Sequence, residues 1–369
     1  MEEIKNKIWA VGGGKGGVGK SVVTLLLGDS LAQLGNKVIL VDADLGGSNL
    51  HTFAGIRYPK YTLADFIGRR VESIDEVVME TPINNLKLIC GADDILGIAN
   101  PKFTQKTRLL NHLKNLDADL ILLDLGAGVS FTTMDFFLYA PNKIVVVTPQ
   151  ATSIQNAYGF IKASLYRRLH RIFRKNPKAL EIVGRSSVSV QGESIDSIAK
   201  VYEAFKPLGK DYVENLMACL NGINIKLVVN MVKEPRERNV SHIVKSVAKN
   251  YLSLDIEEFG VIQYDKILEA SINNMAGFLT SGKDSASRHN FYDIAYNVVK
   301  SCHKLIPANS LIPTTSSALQ QNPASQSRDS SAQVSEKVGF LTSKDVGEEP
   351  ARSTEQMQCR NEEQQDNHI

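Results

Sequence analysis

Seven apolar runs of strand length punctuate the chain, at Ile8–Val11, Val38–Val41, Leu86–Cys90, Leu120–Leu123, Ile144–Thr148, Leu227–Val229 and Phe259–Ile262, most of them separated by helical patterns. A strand with one wet face alternates apolar and polar residues, whereas a continuous apolar run belongs to a strand covered on both sides. Such runs, alternating with helices, predict an α/β fold with a mostly parallel twisted sheet of about seven or eight strands and helices on both faces. Ligands of such sheets lie beyond the carboxyl ends of the strands.

The first helix carries Val22, Val23, Leu26, Leu27 and Leu34 toward the core and ends at Gly35. Residues 52–85 read as two short helices with connecting loops. A longer helix is expected from a Thr152–Ser153 cap to about Lys175, stopped by Asn176–Pro177. Its apolar stripe is Ile154, Tyr158, Ile161, Leu165, Leu169 and Ile172, with Arg167, His170, Arg171 and Arg174 roughly opposite. That basic face either binds lipid or DNA phosphate or is simply a solvated face over a stripe packed on the sheet.

From 176 to 223 the chain exceeds a standard crossover, so an inserted segment is expected, with a surface loop at 184–192 and helix over Ser194–Leu220. Phe291, Ile294, Ala295, Val298, Cys302 and Leu305 form the final core helix. After Pro307 the composition turns to Ser, Gln, Asn, Pro and acids, which predicts one domain over 1–306 and a disordered polar tail over 307–369.

The polar motifs sit where these strands end. Gly14–Ser21 fits G-x-x-x-x-G-K-[ST], a phosphate-binding loop. Glycines at Gly14, Gly16, Gly17 and Gly19 let successive N–H groups, through Val18 and on to Val22 in the first helical turn, face a polyphosphate. Lys20 would reach the terminal phosphates, and the Ser21 hydroxyl would bind Mg²⁺. Gly14, Gly16 and Gly19 also fit a dinucleotide fingerprint, with Asp42 as the ribose acid. That fingerprint has no use for Lys20–Ser21, whereas a triphosphate with Mg²⁺ needs both.

The second strand delivers Asp42-Ala43-Asp44, and alternation would turn both carboxylates toward the phosphate and metal region. Asp124 closes the Leu120–Leu123 run in the position of a Walker B acid for magnesium, and Gly126 and Gly128 suit a mobile loop beside a γ-phosphate.

Lys15 makes the loop G-K-G-G-V-G-K-S, and from here to about residue 305 the chain resembles the MinD/ParA class of deviant Walker A ATPases. The resemblance implies ATP and Mg²⁺ as cofactors, slow ATP hydrolysis, and an ATP-dependent homodimer in which Lys15 reaches the partner's nucleotide. It also implies Lys15, Lys20 and Asp44 as catalytic residues, with Asp44 orienting water and Asn49 in the switch that follows. Ser21, Asp44 and Asp124 would surround the metal, and Asn230 would read the adenine edge. Gln263 stands where the family usually has proline.

Gly126-Ala-Gly, Thr148-Pro-Gln-Ala-Thr-Ser and Ala157-Tyr158-x-x-Ile161-Lys162 are worded more like the flagellar-number branch, FlhG/FleN/YlxH, than like division-site MinD. That wording implies placement or number control of an envelope structure such as a flagellum. A ParA-like DNA-partitioning factor and an ATP-gated regulator of a transcription activator remain open. The tail lacks the C-terminal amphipathic membrane helix that MinD and its flagellar relatives carry.

Composition narrows this little. A net charge of +2 gives no global preference for polyanions, so any lipid or DNA contact needs a local patch. Cys90, Cys219, Cys302 and Cys359 are scattered, without the cysteine pair of iron–sulfur carriers or tail-anchor ATPases, which fits a reducing cytoplasm and peripheral rather than spanning membrane contact.

Overall fold

A computed structural model describes residues 7–56, 59–91, 101–187, 197–273 and 285–303, all within one compact unit. The expected tail, Leu305 and most of the expected 184–192 loop lie outside the described residues.

Eight strands form one sheet: β1 (Ile8–Gly12), β2 (Val38–Asp42), β3 (Val78–Glu80), β4 (Leu86–Ile89), β5 (Leu120–Asp124), β6 (Asn142–Val147), β7 (Ile225–Val232) and β8 (Ile256–Gln263). Their order is β3-β4-β2-β5-β1-β6-β7-β8, parallel throughout except for the antiparallel β3–β4 pair at one edge. All seven apolar runs are strands, and β3 is the one that periodicity misses. It has three residues, half-buried at Val78 and Met79 and exposed at Glu80, so neither a buried run nor a clear alternation marks it.

Among the described residues the α-helices are α1 (Lys20–Gln33), α2 (Leu50–Phe53), α3 (Leu63–Ile67), α4 (Phe103–Asn115), α5 (Phe131–Tyr139), α6 (Ala151–Ile172), α7 (Pro177–Ser187), α8 (Ile198–Phe205), α9 (Lys210–Asn221), α10 (Val240–Leu252), α11 (Lys266–Asn273) and α12 (Arg288–His303). Period-two alternation splits the strands between two cores. Ile8, Ala10, Ile121 and Leu123 join the core under α3 to α6, whereas Trp9, Val11, Leu120 and Leu122 join the core under α1 and α12. Each such aliphatic side chain, taken fully out of water, contributes about 1.5–3 kcal/mol.

Several local expectations change. Helix α1 is buried around much of its girth, with Leu25, Leu27 and Leu31 fully covered, while Leu34 is 46% exposed beyond its end. The helix lies between the sheet and α12, so two faces are apolar. Gln150, not Thr152 or Ser153, is the N-cap of α6; the Ser153 hydroxyl instead accepts the Thr148 N–H at 3.0 Å. Helix α6 stops at Ile172, and Asn176–Pro177 opens α7, where Asn176 Oδ1 accepts from the Ala179 N–H at 3.1 Å. Gly184 to Ser187 are helical rather than loop. The expected Ser194–Leu220 helix is two helices, broken at Pro207-Leu-Gly209, where Gly209 has φ +122°.

Candidate nucleotide-binding site

Strand β1 ends between β5 and β6, where the chain reverses direction across the sheet, and the glycine loop leaves from its carboxyl end. Gly17 (φ +78°) and Gly19 (φ +86°) take backbone conformations that a side chain resists. At Gly14 the constraint is contact: a Cβ would sit 1.9 Å from the Asn156 carbonyl oxygen on α6. Val23 N–H donates to the Gly19 carbonyl at 2.8 Å as α1 begins, so the amides from Lys20 to Val22 precede the first intrahelical acceptor and are available to an anion. Val18 is buried under the loop, and Val22 packs partly against the α1 core.

Lys20 is 8% exposed; burial lowers its pKa, and the charges of Asp124 and Asp44 oppose that shift. Asp124, 2% exposed, is paired in register with Val11 on one side and Asp42 on the other. Ser21 and Thr24 both hydrogen-bond its carboxylate, Thr24 Oγ1 at 3.1 Å. Burial, aided by the Asp42 charge, pushes the Asp124 carboxyl up to about 7 against Ser21, Lys20 and Thr24. Thr24 is a contact that motif spacing does not reveal, although its position one turn after Lys20 offers a signal.

Asp42 and Asp44 reach this region by different routes from simple strand alternation, because β2 ends at Asp42 and Asp44 lies in the following loop, yet the charge of Asp42 acts on Asp124 and that of Asp44 on Lys20. Asp42, 1% exposed, turns back on its own switch segment: it accepts the Ser48 hydroxyl at 2.6 Å, the Leu50 N–H at 3.0 Å and the Asp44 N–H at 3.2 Å. Its pKa is raised by burial. Asp44 is half-buried beside Gly126, where a Cβ would meet Asp44 Oδ1 at 2.7 Å. Asn49 Nδ2 donates to the Gly47 carbonyl at 2.9 Å within the same segment.

Lys15 donates to Thr152 Oγ1 on α6 at 3.1 Å. Gly16 faces open space apart from Ala127, 4.0 Å from where its Cβ would be. Asn230, 6% exposed at the carboxyl end of β7, holds the loop from below: its Nδ2 donates to the Val18 carbonyl at 2.9 Å, and its Oδ1 accepts the Met231 N–H at 2.9 Å. A Cβ on Gly19 would lie 2.4 Å from that Nδ2. Met231, with φ +59° and 38% exposed, borders the same loop and carries no sequence signal.

Among the described residues no three His, Cys, Asp or Glu side chains form a protein-only metal cage. The donors present are the Ser21 hydroxyl with the Asp124 and Asp44 carboxylates, hard oxygens of the kind Mg²⁺ takes together with phosphate and water. The glycine loop fits a polyphosphate equally: Gly14 and Gly19 let the backbone lie against α6 and Asn230 with no room for a side chain, and Gly17 and Gly19 supply the positive-φ turns such a loop needs. No helix among the described residues is long and apolar enough to cross a membrane.

The profile of the CobQ/CobB/MinD/ParA nucleotide binding domain matches residues 9–277. Antiactivator FleN of Pseudomonas aeruginosa is 34% identical over 170 residues, 46% of this chain and 59% of FleN. The flagellum site-determining protein YlxH of Helicobacter pylori is 33% identical over 167 residues, covering 42% of this chain and 53% of YlxH. The septum site-determining protein MinD of Synechocystis is 33% identical over 153 residues, 41% of this chain and 57% of that protein. The chain thus spans less than two thirds of the length of each of these three curated relatives. Pyrococcus furiosus MinD shares the fold at a TM-score of 0.55 and 19% identity over 80% of this chain and 99% of that structure. Pyrococcus horikoshii MinD, solved with Mg-ADP, gives 0.55 and 20% over 80% and 97%. Taken with the glycine loop and the acids at the ends of β2 and β5, these matches establish that the chain belongs to the CobQ/CobB/MinD/ParA nucleotide-binding family.

Proposed function

We propose that the protein is an ATP-driven dimerisation switch that hydrolyses ATP slowly. The observation that carries this reading is the division of labour between two lysines in one loop. Lys20 is enclosed with Asp124 and Asp44, whereas Lys15, in the same loop, is bonded to Thr152 on α6. A lysine so placed is suited to serve a second copy's nucleotide, with Lys15 exchanging Thr152 for phosphate when two chains meet.

In this reading the Gly14–Val22 backbone and Lys20 hold the phosphates, and Asn230 supports the loop beside the adenine. Ser21 and Asp124 would hold Mg²⁺, which supplies charge neutralisation between the phosphates. Asp44 orients the attacking water, and its contact with Gly126 lets the two switch segments move together when the γ-phosphate leaves. Light-scattering mass of the Asp44→Ala chain tests the switch: a dimer with ATP and Mg²⁺ and a monomer with ADP support it, and one mass in both states contradicts it.

The wording shared with FleN and YlxH supports control of the number or placement of a flagellum-like structure, exerted through a protein partner. A second reading, ParA-like binding to DNA, draws on the basic face of α6. Arg167 there is already committed to Asp135 at 2.7 Å, which leaves Arg171 and Arg174 as the more open phosphate contacts. Titration of the ATP-bound Asp44→Ala chain with duplex DNA and with anionic vesicles at matched salt separates the readings.

A further inference from the structure

A cleft of about 640 Å³ opens between α5 and the end of α6, lined by Asp135, Arg167, Arg171, Ile172, Arg174 and Lys175. Asp135 is its one acid, and that acid is spent inward. Lys106 Nζ from α4 and Arg167 Nε from α6 both lie 2.7 Å from its carboxylate, with Arg171 at 3.8 Å. Arg174 and Lys175 are exposed and make no ion pair with described residues. The mouth of the cleft therefore carries an excess of cations.

Apolar surface accompanies that charge. Phe131, at the start of α5, is 65% exposed, with the Arg167 guanidinium 4.3 Å from its ring centroid. Ile172 on the wall is 41% exposed, and Val129, beside Phe131 in the chain, is 51% exposed. Exposed large side chains grouped around a cleft mark an interaction surface. A nucleic-acid backbone has no complement for Phe131 and Ile172, and a bilayer meets a protruding face rather than a recess.

We infer that this cleft docks an acidic segment of a protein partner that also carries apolar side chains. Its carboxylates pair with Arg171, Arg174 and Lys175, and its apolar side chains cover Phe131 and Ile172. Charge complementarity sets encounter and register, and the apolar contacts hold the complex. The inference is independent of the proposed dimer, because every residue it uses comes from one chain.

Fluorescence polarisation of a labelled synthetic peptide of mixed glutamate and leucine, added to the full chain, tests it. A glutamate-only peptide, phosphatidylglycerol vesicles and a DNA duplex are compared at the same salt. The mixed peptide is expected to bind more tightly than the glutamate-only one and to lose affinity about tenfold in the Arg174→Glu/Lys175→Glu variant. Phe131→Ala should weaken it by about fivefold. These side chains are exposed, so both variants should keep the parent melting temperature and ATP turnover. Peptide affinity indifferent to both variants would overturn the inference, as would capture of vesicles or duplex through Arg174 and Lys175 without binding of the mixed peptide.

Discussion

A methyl group on Gly14 would stand 1.9 Å from the Asn156 carbonyl, a backbone atom inside α6 that cannot swing aside. Gly14→Ala must therefore push the loop off α6 or shift the helix, costing about 1–3 kcal/mol of stability and weakening nucleotide binding; denaturant melts and a nucleotide titration measure both. Asp44 is a different case, half-buried and held chiefly by its place beside Gly126. Asp44→Ala should fold and bind ATP but turn it over about 100-fold more slowly, as loss of a group positioning a reacting water does. Wild-type turnover in that variant would remove Asp44 from the mechanism. Asp265 offers a test by pH. Burial alone would raise its pKa, but the Ser285 hydroxyl and the Ser287, Ile267 and Leu268 amides hold the carboxyl down at about 2. Its folded value is thus depressed below the ordinary carboxylate value of about 4. The stabilisation is present above that value and is lost as pH falls toward 2. Asp265→Asn should flatten the acid limb of a plot of melting temperature against pH over that window, and an unchanged limb would count against this contact.

Among the elements, α1 and α12 show how packing departs from local pattern. Asp29 on α1 is 2% exposed and pairs with Arg288 on α12 at 2.7 Å. Arg288→Met would strand that carboxylate and should cost about 3–5 kcal/mol. The Asp29→Leu/Arg288→Met double variant should recover much of the loss in a denaturant melt, because both charges are then gone. None of this was legible locally, since the two residues lie 259 positions apart and a single-helix stripe cannot anticipate a second covered face. The same reason explains the error over Leu25 and Leu31, whereas Leu34 is exposed because it lies beyond the last turn of α1. The strands were legible because burial on both faces leaves unbroken apolar runs, and β3 escaped because a short half-buried edge leaves none. In the site, the loop, Lys20, Ser21 and Asp124 could be read from spacing and from the end of a strand. The inward turn of Asp42, the Thr152 contact of Lys15 and the Asp135 cluster could not, because each depends on how the loops and helices close.

For the whole molecule, the parallel sheet brings the carboxyl ends of β1, β2 and β5 into register, and the family's nucleotide-binding motifs follow from that alignment. The central proposal concerns two molecules rather than one: Lys15, bonded to Thr152 within its own chain, would complete the site of a second copy. The most direct test is ATP turnover per chain measured against protein concentration, for the wild type and for Lys15→Ala. The wild-type rate should climb with concentration and level off as dimers form, while Lys15→Ala should stay flat and at least about tenfold lower across the range. A wild-type rate independent of concentration, matched by Lys15→Ala, would contradict the account.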